Sequence, residues 1–524
     1  MTTTSDRLPE RTTADALSRL AASVRTEDDR PEIPVEAPYS GSTIQTIPAS
    51  TSADVLAAFE RAREAQPAWA DREASERAAV VRRFHDLALD RRAELLDVTQ
   101  LESGKARIDA FEEVLDVATT ARHYAHRAAD YLAPSRRKGA LPLLTKTTVN
   151  RRPVGVVGVV SPWNYPMTLS VSDAIPALLA GNAVVCKPAS ETPFTALALR
   201  DLLREAGTPD DVFQVVTGHG SEAGGAVVEE ADYVCFTGST ETGREVARRA
   251  GANLTDCSLE LGGKNPMVVL ADADIETAVE GAIQGCFTNA GQLCISFERL
   301  YVASEVYDAF LDRFVRRTRA LDLRPAYDYG PDVGSLVGPD QLETVERHVE
   351  DAVAKGADVL TGGRARPDIG PYFYEPTVLS GVTDEMAAGC EETFGPVVSV
   401  EPFDAESEAI RMANDSDYGL NASVWTEDGE RGRDIARRID CGTVNVNDAY
   451  AAAWASIDAP MGGMKDSGLG RRHGDEGFLK YTEAQTVAEQ RGAPIGAPRG
   501  VPDSWYATGM ALALRAMDRI PGVR

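Results

Sequence analysis

Val154-Gly155-Val156-Val157-Gly158-Val159-Val160-Ser161-Pro162-Trp163-Asn164-Tyr165-Pro166 opens with the longest apolar run of the chain and ends on a turn flanked by prolines. The run from Val154 to Val160 does not alternate in polarity and is far shorter than the roughly 18 residues of a membrane span. It reads as a strand buried on both faces of a parallel sheet. From there to Glu260, strand and helix patterns alternate. Strands are expected at 154–160, 183–187, 212–216, 233–236 and 257–260, and helices at about 169–180, 193–206, 221–230 and 241–250. This alternation predicts βαβ units and a parallel sheet covered on both faces.

A second alternating region runs from Asn265 to about Val446, after Gly262-Gly263. Its strands are expected at 266–270, 299–303, 397–402, 421–425 and 442–446, and its helices at 274–288, 304–320, 340–354, 405–413 and 428–438. The Gly-rich turn at 261–263 is the expected hinge between the two regions, with Asn265 and Pro266 beside it. From Val55 to about Tyr131 the pattern is helical, in long Ala/Arg/Glu-rich amphipathic segments. Residues 1–34 are rich in Thr, Asp, Glu and Arg, with little apolar pattern until Ala14 to Val24, and read as a loosely packed extension. No internal repeat is visible.

A chain of 524 residues exceeds one hydrophobic core. The net charge of -27 argues against nucleic acid as a partner. Only eight of the 54 basic residues are lysine; such an acidic, lysine-poor surface suits a high-salt cytoplasm and equally an acidic mesophilic protein. The seven cysteines show no CxxC or Cys/His metal spacing, so they read as reduced thiols and no metal site is expected. The N-terminus has no basic segment followed by an apolar core, and a cytoplasmic location is the default.

Ligands of open α/β sheets bind beyond the carboxyl ends of the strands. Three motifs fall there. Trp163 and Asn164 follow the first strand, Lys187-Pro188-Ala189-Ser190 the second, and Phe236-Thr237-Gly238-Ser239-Thr240-Glu241-Thr242-Gly243 the fourth. The last opens a helix, where free N–H groups and the dipole make an anion site; taken alone it is equally a capped helix start. Further on, Phe287-Thr288-Asn289-Ala290-Gly291-Gln292-Leu293-Cys294 places a thiol in a small-residue loop. Glu260 opens Glu260-Leu261-Gly262-Gly263-Lys264, 34 residues upstream. A thiol and a carboxylate are the parts needed for covalent catalysis on a carbonyl followed by hydrolysis. The thiol would act as a locally favoured thiolate. Cys286 is the rival nucleophile, but it sits inside a helical apolar pattern, and Cys186, Cys235 and Cys257 lie in or beside apolar strands.

These segments, in this order, resemble the aldehyde dehydrogenase superfamily over about residues 35–490, and among its members the bacterial succinate-semialdehyde dehydrogenases. The resemblance implies two Rossmann-like domains and a small oligomerisation sheet. Residues 35–133 and 154–261 would bind the dinucleotide and 262–446 would form the catalytic domain. The arm would comprise 134–153 and 482–490, with a substrate-tunnel loop at 447–481 and a tail at 491–524. It implies Cys294 as nucleophile, Glu260 as the base of deacylation and Asn164 as an oxyanion donor. Trp163, Asn164, Lys187, Ser190, Gly238, Ser239, Thr240, Leu261, Glu392 and Phe394 would contact the cofactor.

Relatives that prefer NAD commonly carry glutamate where Ser190 stands, and Glu191 is expected to point elsewhere. NADP is therefore expected, with NAD possible. The loop Pro460-Met461-Gly462-Gly463-Met464-Lys465-Asp466-Ser467-Gly468-Leu469-Gly470-Arg471 and the following Arg472-His473-Gly474 match the succinate-semialdehyde branch. Against that, two arginines that some of these enzymes use on the substrate carboxylate are Ser172 and Thr288 here. A general aliphatic or aromatic aldehyde is the alternative substrate. A CoA-acylating enzyme would lack Glu260, and a non-catalytic binding protein would be expected to lose Cys294, Glu260 or Asn164. A homodimer or homotetramer without nucleic-acid or membrane partners is expected.

Overall fold

The structure is a computed structural model that describes residues 8–26, 30–139, 144–491 and 496–519. The apolar run becomes the strand Val156–Val160, inside a six-stranded sheet. In spatial order its strands are Gly468–Leu469, Asp256–Glu260, Tyr233–Thr237, Val156–Val160, Ala183–Lys187 and Phe213–Val215. Neighbours are parallel except the first pair, where Gly468–Leu469 runs against Asp256–Glu260. Apolar side chains cover both faces, with Leu178, Phe194 and Phe213 in one cluster and Phe59, Val227 and Val246 in the other. Gly158 permits the closest helix approach: a Cβ there would stand 2.8 Å from Val227 and 2.9 Å from Ala231.

A seven-stranded sheet follows, in the order Asp358–Thr361, Thr377–Ser380, Val397–Phe403, Phe297–Ala303, Asn265–Val269, Asn421–Trp425 and Thr443–Val446. It is parallel apart from the antiparallel pair at the Asp358–Thr361 edge. The two strands at that edge were not legible in the sequence, because four residues each are too few to show a period. A third, antiparallel sheet joins Thr482–Gln490, Thr145–Pro153 and Ser135–Arg137, with Thr145 opposite Gln490 and Pro153 opposite Thr482. No described helix is long and apolar enough to cross a membrane.

Two expectations are corrected. The helix read at 169–180 is two helices, Pro166–Val171 and Ala174–Ala180. The break holds Asp173, buried where it pairs with Arg472 and Lys480. The supposedly loose extension contains the helix Ala14–Ala22, capped by Thr13, and the strand Glu32–Ala37, paired with Ser42–Pro48. Leu17, Ala21 and Val24, within the apolar pattern of Ala14 to Val24, recur at helical spacing and are buried in the main core rather than loosely packed. The tail carries a helix, Asp503–Met517, with Trp505, Leu512 and Leu514 exposed.

One helix supports the strand ends where ligands are expected. Arg107–Leu132 places Asp109, Glu112, Glu113 and Asp116 on one face at helical spacing, and all but the half-buried Glu112 are fully buried. Burial raises the pKa of each of the four. Glu113 is paired with Lys105, both wholly buried, at 2.6 Å. Lys105 Nζ also donates to the Asn164 carbonyl at 2.7 Å, and Glu113 accepts from the Met167 and Thr168 N–H groups at 2.7 and 3.1 Å. The turn that ends the apolar strand is thus held from below. Lys105→Met leaves Glu113 buried without its partner and is expected to destabilise the protein by about 3–5 kcal/mol. A thermal unfolding midpoint equal to wild type would contradict this.

Candidate active site

Cys294 stands at the end of a loop that follows the helix Ile275–Phe287. Asn289, Ala290 and Gly291 take left-handed φ values of 54°, 56° and 72° in succession. Such residues cost about 1–3 kcal/mol each when not glycine and persist only where the surroundings hold them. Here the Asn289 N–H donates to Asp109 at 3.0 Å. Its side-chain amide donates to the carbonyls of Asn164 at 3.1 Å and Gln292 at 3.0 Å. A Cβ on Gly291 would meet the Gly395 carbonyl oxygen at 2.1 Å, so only glycine fits. Asn164 Nδ2 donates to the Gln292 carbonyl at 3.1 Å, which leaves its second N–H for another acceptor. Asn265, expected at a hinge, is buried and its amide donates to the carbonyls of Cys294 at 2.8 Å and Ser296 at 2.7 Å. It clamps the Cys294 loop.

Glu260 ends the strand Asp256–Glu260 and shares a cavity of about 310 Å³ with Cys294, Asn164, Trp163, Glu392 and Phe394. Its Oε1 is buried and has no hydrogen-bond partner. Burial pushes its pKa up to about 7, against the pull of Arg472 and Lys480. Burial likewise pushes the Cys294 thiol up to about 12, helped by the Glu260 and Glu392 carboxylates. The favoured thiolate expected from sequence is therefore not what the site holds. It holds a protonated thiol next to a carboxyl group poised to take a proton near neutrality.

The cofactor motifs meet in a second cavity of about 680 Å³ that shares Pro162, Trp163, Gly238, Ser239 and Gln341 with the first. Lys187 and Ser190 line it, and burial lowers the Lys187 pKa. Ser239 caps the helix Thr240–Ala252 by accepting from the Thr242 N–H, so the other N–H groups of the first turn are free for an anion. Leu261 lines the inner chamber. Glu392 accepts from the Gly263 N–H at 2.8 Å, with its pKa raised by burial to about 8. The Phe394 ring packs edge-on to Trp163 at 5.5 Å. This groove, an anion-binding helix start at one part and an aromatic wall with a carboxyl group at the other, fits a dinucleotide.

Two details differ from the sequence reading. Thr240 turns away and donates to the Asp466 carbonyl at 3.2 Å, while Thr242, closer in helical phase to the groove, lines it. Glu191 shares the wall of Ser190 rather than pointing elsewhere. Gln341, Thr344 and His219 also line the groove, from segments without a motif.

Cys286, Cys186 and Cys235 are buried and Cys257 is half-buried; none lines either cavity. Ser172 donates to Asp116 at 2.5 Å, and Thr288 lies 3.3 Å from the Tyr450 hydroxyl. Arg299 bonds the Lys264, Met412, Ala413 and Asp415 carbonyls, a structural role. Among the described residues no His, Cys, Asp and Glu group could hold a metal.

Residues 24–487 match the model of the Aldehyde dehydrogenase family. A Mycolicibacterium smegmatis protein named "Putative succinate-semialdehyde dehydrogenase", with NADP(+) in that name, is 52% identical over 98% of this chain and 100% of its own length. A succinate semialdehyde dehydrogenase of Acinetobacter baylyi is 35% identical over 87% of this chain and 94% of its own. The solved betaine aldehyde dehydrogenase of Staphylococcus aureus in complex with NAD+ is 31% identical, with a TM-score of 0.86 over 93% of this chain and 99% of its own.

The raised thiol pKa governs how Cys294 reacts with electrophiles. In the free protein, alkylation of Cys294 by iodoacetamide is expected to rise about tenfold per pH unit from about pH 7 to about pH 10, without a plateau, because the thiolate is the reacting form. Peptide mass spectrometry reads this; a plateau near pH 8 would contradict it.

Proposed function

The chain belongs to the aldehyde dehydrogenase family, and we propose that this NAD(P)-dependent enzyme oxidises succinate semialdehyde to succinate with NADP. The observation that carries the chemistry is the shared cavity of Cys294, Glu260 and Asn164. The name of the 52% identical relative supports the substrate and the cofactor. Residues 35–133 with 154–261 serve the cofactor in this reading, and 262–446 supply the nucleophile. The exposed outer edge of Thr482–Gln490 is suited to pair with a second copy in a homodimer or homotetramer.

In the proposed mechanism Cys294 loses its proton to Glu260 and its sulfur bonds to the aldehyde carbon, giving a thiohemiacetal. The free N–H of the Asn164 amide and the Cys294 backbone N–H hold the oxyanion. When bound, the nicotinamide accepts the hydride of this adduct, which becomes a thioester. Glu260 first gives the thiol proton up to solvent and then takes a proton from water. The hydroxide so formed attacks the thioester carbon, the carbon–sulfur bond breaks, and the proton on Glu260 passes to the leaving sulfur as the acid departs. Trp163 and Phe394 wall the nicotinamide end, and Glu392 offers its ribose a hydrogen-bonding carboxyl group.

Glu260→Gln removes the base and keeps the size. Steady-state turnover is expected to fall by about 10²–10⁴, and the first-turnover formation of reduced cofactor is expected to slow as well, because the Cys294 thiol also loses its base. In wild type, deacylation should rise with pH through about 7, since Glu260 acts only when ionised. Normal turnover in Glu260→Gln would remove the role.

The substrate and cofactor are tested together by kcat/KM for succinate semialdehyde and for aliphatic and aromatic aldehydes, each with NADP and NAD. Ser190→Glu is expected to lose NADP activity far more than NAD activity, because a carboxylate would oppose the 2'-phosphate. A wild type that prefers NAD tenfold would overturn the NADP assignment.

A further inference from the structure

A substrate bearing a carboxylate needs a seat for it, and Ser172 and Thr288 supply no guanidinium. What does stand there is a compact set of hydroxyls around one carboxyl group. The Tyr450 hydroxyl lies 3.0 and 3.2 Å from the two oxygens of Glu112 and 3.3 Å from Thr288 Oγ1. The Tyr165 hydroxyl lies 3.3 Å from Glu112 Oε2. Tyr165 follows Asn164, and Thr288 precedes Asn289, whose amide bonds the Asn164 carbonyl. The set therefore stands against the oxyanion residue and the nucleophile loop.

None of the four lines the chamber of Cys294 and Glu260 or the cofactor groove. Tyr165 and Tyr450 pack with Leu293 and Met461 in the apolar cluster that the Cys294 side chain touches. Glu112 and Thr288 are half-exposed, so the set opens to solvent while its aromatic rings are buried.

We propose that Glu112, with the hydroxyls of Tyr165, Thr288 and Tyr450, seats the distal carboxylate of the substrate through hydrogen bonds donated by neutral groups. The inference rests on succinate semialdehyde being the substrate. Four O–H donors can surround one carboxylate if Glu112 carries its proton; the two carboxyl groups then share that proton and no bond breaks. The groups that face Glu112 are Lys105, Asp109 and Glu113 from its own helix and the turn before it, Tyr165 from the Asn164 turn, and Tyr450. Lys105 is already committed to Glu113. Burial keeps the Glu112 pKa raised, and a second carboxylate at the site would raise it further.

The test measures kcat/KM for succinate semialdehyde, uncharged butanal and cationic 4-aminobutanal from about pH 6 to about pH 9. The enzymes are wild type, Glu112→Gln, Glu112→Leu and Tyr450→Phe. The ratio of succinate semialdehyde to butanal cancels the titration of Glu260, which both substrates share. In wild type this ratio should fall as pH rises and Glu112 ionises. Glu112→Gln, which donates without titrating, should keep the ratio and flatten its pH dependence. Glu112→Leu should lower it by about 10- to 100-fold and Tyr450→Phe in the same direction.

A wild type that favours succinate semialdehyde with the same ratio and the same pH profile in all three variants overturns this inference and leaves the substrate reading intact. A wild type that uses 4-aminobutanal best, and loses it in Glu112→Gln, overturns both, with Glu112 acting as an anion.

Discussion

The buried contact between Lys105 and the Asn164 carbonyl, balanced by Glu113, is the constraint on which the site depends. Asn164 must place its amide within reach of the thiol, yet it sits on a turn with no regular hydrogen bonding of its own. The backbone below is held by ion-pair chemistry from the helix Arg107–Leu132. Asp109, one turn away on that helix, holds the left-handed Asn289 of the Cys294 loop. Two loops from different sheets thereby share one rigid support. An ion pair at zero exposure gives little net stability. What it does is fix a geometry, because either charge alone would be costly to bury.

The electrostatics of the chamber follow from the same exclusion of water. Burial raises Glu260 to about 7 and Cys294 to about 12. Behind them Arg472 and Lys480 flank Asp173, which they hold at about 2 in spite of its burial. A permanently ionised Asp173 absorbs much of the positive charge of that pair. Glu260 is left with a pKa near neutrality instead of a low one, and a base near neutrality can both accept and release a proton at working pH.

How much of this the sequence disclosed depends on distance along the chain. The α/β class follows from apolar strands alternating with helices, and the motifs that end those strands are brought to one continuous groove. Contiguous signals of this kind survive in a single sequence. The support of the site does not, because its partners lie far apart: Lys105 bonds a residue 59 positions away and Asp109 one 180 positions away. The acidic residues at 109, 112, 113 and 116 could have been noticed as a charged stripe at helical spacing in an amphipathic helix. Thr240 and Thr242 differ by two residues, and helical phase alone decides which one faces the groove. The clamp at Asn265 was hidden because an asparagine beside glycines looks like a turn.

In the proposed mechanism the chemistry runs through a covalent intermediate carried by Cys294. Its most direct measurement is a rapid quench of the wild-type enzyme with NADP and succinate semialdehyde during the first turnover, with peptide mass spectrometry of the quenched protein. The expected result is one succinyl group on the peptide that contains Cys294, appearing together with reduced cofactor. Acylation of Cys286 instead, or reduced cofactor formed with no acyl group on any cysteine, would contradict that intermediate.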